Sequence, residues 1–414
     1  MIKSGTWISN RKKSFYVIST LGILTAIGSI SIDMYLPAFD VMADYFKVPI
    51  ARIETTVTLF LFGMAFGQIF IGPVSDVWGR KMPLRIGLSI YILSSICCVM
   101  TNSFVLFIIL RFVQGLAGSA CQVISRALVN DIYHDKNNTK VFTLLQIVMG
   151  ISPILSPLIG GMLANENTWK YLFFFMAAVS GIGMLGCLTV LPAGKPSARI
   201  RMLNFNSLII GYAYCLRHPA FVNYALVRSF SNSAAFVLIT ASPFVFTKIY
   251  DLNSRQYSFV FSGLAIGIIC AGIINTQLIK RFDTYKIIKS AIFCQIATGT
   301  LMIAGLFVQA PFWLLLGAMI IFLAMLGLIL PTATSLYIRA VPSHGGTGSA
   351  LLGSLSYLSA FLITSLLNLL YNHTAYPMII IMWCCAVLAY FCLHYKNSDG
   401  GLNRSVFRKN AIPK

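Results

Sequence analysis

Long apolar stretches alternate along this chain with short polar or basic ones. A membrane-spanning helix needs about 20 mostly apolar residues. Stretches of that kind fall at 15–37, 53–74, 83–101, 104–127, 139–164 and 169–191, and again at 220–248, 256–279, 286–307, 311–337, 345–370 and 374–395. The pattern predicts twelve spanning helices in two sets of six. Between the sets lies a more polar stretch, 192–219, in which 198–216 reads as an amphipathic interfacial helix carrying Arg199 and Arg201. Pro37 disfavours helix at the residue before it and is expected to bend or end the first span. That span follows Lys3, Arg11, Lys12 and Lys13, as a signal peptide would. It exceeds the roughly 7–15 apolar residues of a signal core, and no small-residue cleavage site follows, so it reads as an uncleaved helix.

The loops set the orientation. With the N-terminus inside, the inner segments hold Arg80, Lys81, Arg85, Lys136, Lys140, Lys195, Arg199, Arg201, Arg217, Lys280, Arg281, Lys286, Lys289 and Arg339, besides the N-terminal cluster and the tail. The outer segments hold Lys47, Arg52, Lys170, Lys248 and Arg255, a bias of about fivefold. Both termini are therefore expected in the cytoplasm. Composition agrees: 57% of residues are hydrophobic and 10% charged, where soluble domains carry about 25% charged. The net charge of +20 is spread over short loops and not gathered on one face, which argues against nucleic acid as a partner.

The two sets repeat. Gly63, Gly67, Gly72 and Asp76 precede Arg80-Lys81; Gly263, Gly267, Gly272 and Thr276 precede Lys280-Arg281. The shift is 200 residues, near half the chain, as expected for parallel repeats of a transporter. No GxxxxGK[ST] loop occurs and there is no room for a sizeable soluble ATPase domain, so energy for transport has to come from a gradient or a partner chain. Nine of the ten cysteines lie in apolar runs and no CxxC pair occurs, which reads as small hydrophobes. The five histidines lack metal-ligand spacing, so neither metal nor cofactor is expected.

An ionisable side chain within the membrane is a functional candidate by default. Three stand out. Asp33 lies toward the outer part of the first helix, Arg111 within the fourth, and Arg228 near the start of the seventh. Asp33 is the candidate proton carrier, because burial disfavours a charged carboxyl and a nearby arginine favours it. The plain alternative is a helix end at the membrane surface. Arg111 keeps its charge and would pair with Asp33, hold a substrate carboxylate, or simply bond backbone carbonyls. Arg228 would face the cavity or snorkel to the surface. Arg126 and Asp131 read as interfacial anchors.

These motifs resemble a known family. Gly72-Pro73-Val74-Ser75-Asp76-Val77-Trp78-Gly79-Arg80-Lys81 resembles the loop signature G-x-x-x-D-x-x-G-R-[KR] of the major facilitator superfamily, and Arg111-Phe112-Val113-Gln114-Gly115 its fourth-helix R-x-x-Q-G. Asp33-Met34-Tyr35-Leu36-Pro37-Ala38, Ser125-Arg126-Ala127, Ser242-Pro243-Phe244-Val245-Phe246 and the run Gly346–Gly353 resemble Bcr/CflA-type drug-resistance transporters within it. Two positions depart. Ser156 replaces the first glycine of the fifth-helix motif G-P-x-x-G-G, while Pro157, Gly160 and Gly161 keep its expected bend; Thr276 replaces the acid in the second loop motif.

The resemblance implies an all-α membrane protein of the major facilitator fold: twelve helices as two six-helix bundles related by a pseudo-twofold axis. The implied division is 1–191 and 220–395 as bundles, 192–219 as a cytoplasmic linker, and 396–414 as a cytoplasmic tail. It implies a monomeric, proton-driven exporter of small amphipathic drugs or metabolites in the inner membrane, and not an enzyme. Exporting an endogenous carboxylate such as a siderophore, or importing a metabolite with protons, are the alternatives. Asp33 and Arg111 are the expected proton-coupling pair, and Tyr35, Gln114, Arg228 and Asn232 the expected substrate contacts. Gly72, Asp76, Gly79, Arg80 and Lys81 are expected to form a conformational latch, with Asp76 at the start of the eleventh helix, near Gly346–Ser349.

Overall fold

The computed structural model describes residues 11–133, 135–191, 205–340 and 345–395. Among them are fourteen α-helices: α1 Arg11–Asp33, α2 Phe39–Phe46, α3 Ile50–Trp78, α4 Lys81–Met100, α5 Phe104–Ile132, α6 Asp135–Leu163, α7 Lys170–Thr189, α8 Phe205–Arg217, α9 Pro219–Phe244, α10 Ser254–Arg281, α11 Thr284–Phe307, α12 Phe312–Ala340, α13 Gly345–Leu369 and α14 Tyr376–His394. Eleven stretches of the described residues are long and apolar enough to cross a membrane, and α6 adds a shorter apolar part, Ile147–Leu163. Each of the twelve expected spans is thus a helix.

Local chemistry sets several ends. Pro37 has no amide hydrogen for the carbonyl of Asp33, so α1 stops there. The chain then makes a 3-10 turn, Leu36–Ala38, and the short helix α2, which lies beyond the first expected span. Asn253 caps α10: its side chain accepts from the amides of Arg255 and Gln256, and Gln256 reaches back to the Asn253 amide at 3.0 Å. Of the expected linker helix, α8 covers the described part from Phe205, and Arg199 and Arg201 lie outside the described residues. Its Tyr212 hydroxyl donates to the Ile69 carbonyl at 3.1 Å, tying α8 to α3.

Helices α1 and α3–α7 pack among themselves, as do α9–α14, and two seams join the groups: α3 on α13 and α6 on α10. These are the second span on the eleventh and the fifth on the eighth. A shift of half the chain exchanges one pair for the other, which is the pseudo-twofold relation the sequence repeat predicts.

The first seam is mostly polar. Ser354 Oγ donates to the Ala65 carbonyl at 3.0 Å, Gln68 donates to Gln122 at 2.6 Å, Gln122 donates to the Tyr357 hydroxyl at 3.2 Å, and Asn368 donates to Thr58 at 3.3 Å. Phe62 stacks on Phe361 at 4.6 Å. At the second seam, Ser262 donates to the Ile154 carbonyl at 2.8 Å. Within the second group, serines join α9 to α13: Ser229 and Ser356 are 3.4 Å apart, and Ser233 donates to Ser359 at 3.0 Å.

Candidate functional site

Between the two groups lies a cavity of about 160 Å³. The first group contributes Gly28, Ser29, Ile32 and Asp33 from α1 and Pro153 from α6; the second contributes residues of α9, α10, α12 and α13. Its walls are mainly apolar, with Phe236, Ile239, Phe261, Leu264 and Leu323 prominent, and Asp33 is the one carboxylate in the lining. Apolar walls with a few polar groups are the usual make-up of a small-molecule site.

Asp33 is buried, at 4% exposure, and among the described residues none forms an ion pair with it. Pro37 places it by ending α1 beside the cavity. Gly160 helps: a Cβ there would strike the carbonyl of Met34, so only glycine lets α6 lie this close to the end of α1. Gly161 likewise lies against Ser254 and Ser258 of α10. The two glycines serve close approach, and α6 continues as helix to Leu163 through both Pro153 and Pro157.

Arg111 is elsewhere. It does not pair with Asp33 and does not line the cavity. It is fully buried inside the first group. One Nη donates to Gln114 Oε1 and the other to the Ser31 carbonyl at 2.8 Å. Its guanidinium lies over the rings of Tyr35 at 4.3 Å and Phe60 at 4.7 Å. The bonded-to-carbonyl alternative describes it best.

Tyr35 and Gln114 follow Arg111 away from the cavity. The Tyr35 hydroxyl bonds Thr56 at 2.9 Å, and Gln114 donates to Ser95 at 2.7 Å; both residues are fully buried. Neither lines the cavity. They are the packing around Arg111, two residues and three residues along the chain from the charges they were grouped with.

Arg228 is half-buried on α9. Its Nη1 reaches Ser356 at 3.4 Å, and its Nε is buried with no partner. Arg126 of the first group and Tyr357 of the cavity wall lie within its electrostatic reach. Asn232 lies one turn from Phe236 on the same face of α9, half-buried.

The loop motif closes on its own half. Arg80 bonds Asp76, Ser75 Oγ at 2.8 Å, and Asp131 at the end of α5 at 2.8 Å. Burial alone would lower the Arg80 pKa; the bond to Asp131 and the charge of Asp76 outweigh it and raise it. Asp131 is therefore a partner of the motif and more than a surface anchor. Gly79 takes φ 80°, a conformation that favours glycine. Asp76 shows no bond to α13 among the described residues, and the Gly346 and Thr347 end of the expected latch lies outside those whose side chains are described.

Sequence reasoning missed Glu54, which is 1% exposed on α3. The signal was present: an acid at the edge of an apolar run, second residue of the expected span 53–74. It also missed Gln68, Gln122 and Tyr357, whose pairing across a seam depends on contacts far apart in sequence.

A two-fold-repeated bundle of spanning helices, closed around a mostly apolar cavity with one buried carboxyl, defines a membrane transporter. Residues 21–364 match the family model described as Major Facilitator Superfamily, and the chain belongs to that family. It is a multi-pass membrane transporter and not an enzyme. A bicyclomycin resistance protein homolog of Haemophilus influenzae is 28% identical over 393 residues, covering 94% of this chain and 99% of the relative. Multidrug resistance protein D of Escherichia coli is 27% identical over 365 residues, covering 86% and 89%. These relatives agree with the Bcr/CflA-type resemblance. Among solved structures, the xylose transporter XylE from E. coli, in a partially occluded inward-open conformation, aligns with a TM-score of 0.73 at 12% identity, over 93% of this chain and 98% of that one. The nucleoside transporter NupG aligns at 0.69 and 14%, over 91% and 98%. At such identities the likeness is one of fold.

Proposed function

We propose that the protein exports small amphipathic compounds across the bacterial inner membrane in exchange for protons, by alternating access. The observation that carries this reading is Asp33, a buried carboxyl without an ion-pair partner among the described residues, in an apolar cavity walled by both halves of one chain. A carboxyl exposed in turn to each side can take a proton from one and release it to the other. The apolar walls suit the hydrophobic body of a drug, and the relatives' names mention bicyclomycin, multidrug and chloramphenicol resistance. Because one chain supplies both walls, a monomer suffices. The charge bias of the loops supports cytoplasmic termini, with the Arg80-Lys81 turn inside and the Asp40–Lys248 end outside.

The test is flux in proteoliposomes under an imposed proton gradient, with chloramphenicol and bicyclomycin as probes. The wild-type chain should drive the probe against the proton flow. Asp33→Asn should abolish gradient-driven flux while keeping helical content and monodispersity; full coupled flux by that variant rules out the role of Asp33. Probe accumulation in the same direction as the protons would show an importer.

A second reading concerns substrate charge. Arg126 and Arg228, one from each half, lie within reach of each other with no acid paired to either among the described residues. That arrangement favours an amphipathic carboxylate. Arg228→Gln should then weaken flux of an anionic probe and spare a cationic one.

A further inference from the structure

The cavity makes no use of Glu54. This residue is 1% exposed, four residues into α3, and its Oε1 has no hydrogen-bond partner. It stands at the same end of the molecule as the Lys248–Asp40 ion pair, which joins the two halves at 2.9 Å. Two groups of the second half lie within its electrostatic reach. Tyr257 of α10 is fully buried, and its hydroxyl shares a hydrogen bond with Ser242 at 2.9 Å. Tyr371, just past α13, packs on Phe244 at 5.0 Å and on His373 at 4.7 Å. Both tyrosines lie within electrostatic reach of Glu54, and Tyr257 within reach of Asp33 as well. Burial first, and then Glu54, push the Tyr371 hydroxyl up to about 12. The other described charges at this end are Lys248 and Asp40, paired with each other, half-buried Lys170, which donates to the Tyr45 hydroxyl, and exposed Asp44, Lys47, Arg52, Glu166, Asp251 and Arg255. No cation among the described residues pairs with Glu54.

An ionised carboxylate without a counter-ion is strongly disfavoured in such surroundings, whereas a neutral carboxyl is tolerated. The closed seam therefore accepts Glu54 with a proton and rejects it without one. When the halves part at this end, water reaches the side chain and the ionised form becomes acceptable. Tyr257, bonded to Ser242, lies within electrostatic reach of both carboxyls.

We infer that Glu54 is a second proton-binding site of the transport cycle, filled from the outer side, and that its protonation is the condition for the outer end to close. The inference rests on the proton-coupled reading and orientation proposed above. It adds a carboxyl outside the cavity and ties that carboxyl to one gate.

Two measurements on the reconstituted full chain test it. Infrared difference spectra between acid and alkaline pH should contain a protonated-carboxyl band that Glu54→Gln removes and a separate one that Asp33→Asn removes. Glu54→Asp, which keeps a carboxyl, should shift the first band and leave the second. Hydrogen–deuterium exchange of residues 50–58 and 242–257, corrected for the base-catalysed intrinsic rate, should be several-fold faster at alkaline than at acid pH in the wild type. It should be slow at both in Glu54→Gln. His373→Gln removes the nearby imidazole and should leave the pH response intact. A Glu54→Gln protein with every carboxyl band, or with the wild-type pH response, overturns this inference alone if Asp33→Asn still loses gradient-driven flux. Full flux in Asp33→Asn overturns the proposed function, and this inference with it.

Discussion

At the scale of single residues, the chemistry separates two arginines that look alike in sequence. Both interrupt apolar runs and both keep a buried, unpartnered Nε, yet Arg111 is sealed among Tyr35, Phe60 and Gln114, while Arg228 lies within electrostatic reach of Arg126. Arg111→Lys loses the planar fork that serves Gln114 and the Ser31 carbonyl together. A charge-assisted bond contributes about 1.5–3 kcal/mol, so the purified variant should melt at a clearly lower temperature even with ligand absent. Arg228→Lys should leave the melting temperature near that of the wild type. Asp33 was legible because an acid in a long apolar run stands out and because Pro37 marks the helix end. The role of Arg111 was not legible, since its carbonyl partner comes from Ser31, 80 residues away. Glu54 was open to view, but its lack of a counter-ion depends on tyrosines more than 200 residues distant.

At the scale of elements, hydropathy found every span and blurred their edges. It carried the first span to Pro37, past the observed end of α1 at Asp33, and did not find the short helix α2, whose Phe39 and Met42 are buried at the end of the span. It could not show that Gly160 and Gly161 are contact points, because glycine spacing in α6 says nothing of what lies opposite. Gly160→Ala checks that account. The added methyl meets the backbone of Met34, which cannot turn aside as a side chain would. Overpacking of this kind costs about 1–3 kcal/mol. The variant should melt earlier and transport poorly, and a Gly181→Ala control, which meets nothing within 4 Å, should do neither.

At the scale of the whole molecule, the repeat in the sequence foretold the pairing of seams, since equivalent helices must meet equivalent partners. It did not foretell which end is shut. There the Lys248–Asp40 pair spans the halves with side chains 55% and 26% exposed. Exposed pairs contribute about 0.2–1 kcal/mol, so Asp40→Asn should favour opening at this end only a few-fold, read as faster deuterium exchange over 36–46, and high salt should mimic it in the wild type. The serines between α9 and α13 bear on motion of a different kind. Hydroxyl groups are small, rotate freely, and both give and take hydrogen bonds. A helix held by such rungs can slide along its neighbour and find a new partner one turn on, as a ratchet passes from tooth to tooth, without ever leaving a methyl-shaped hole behind.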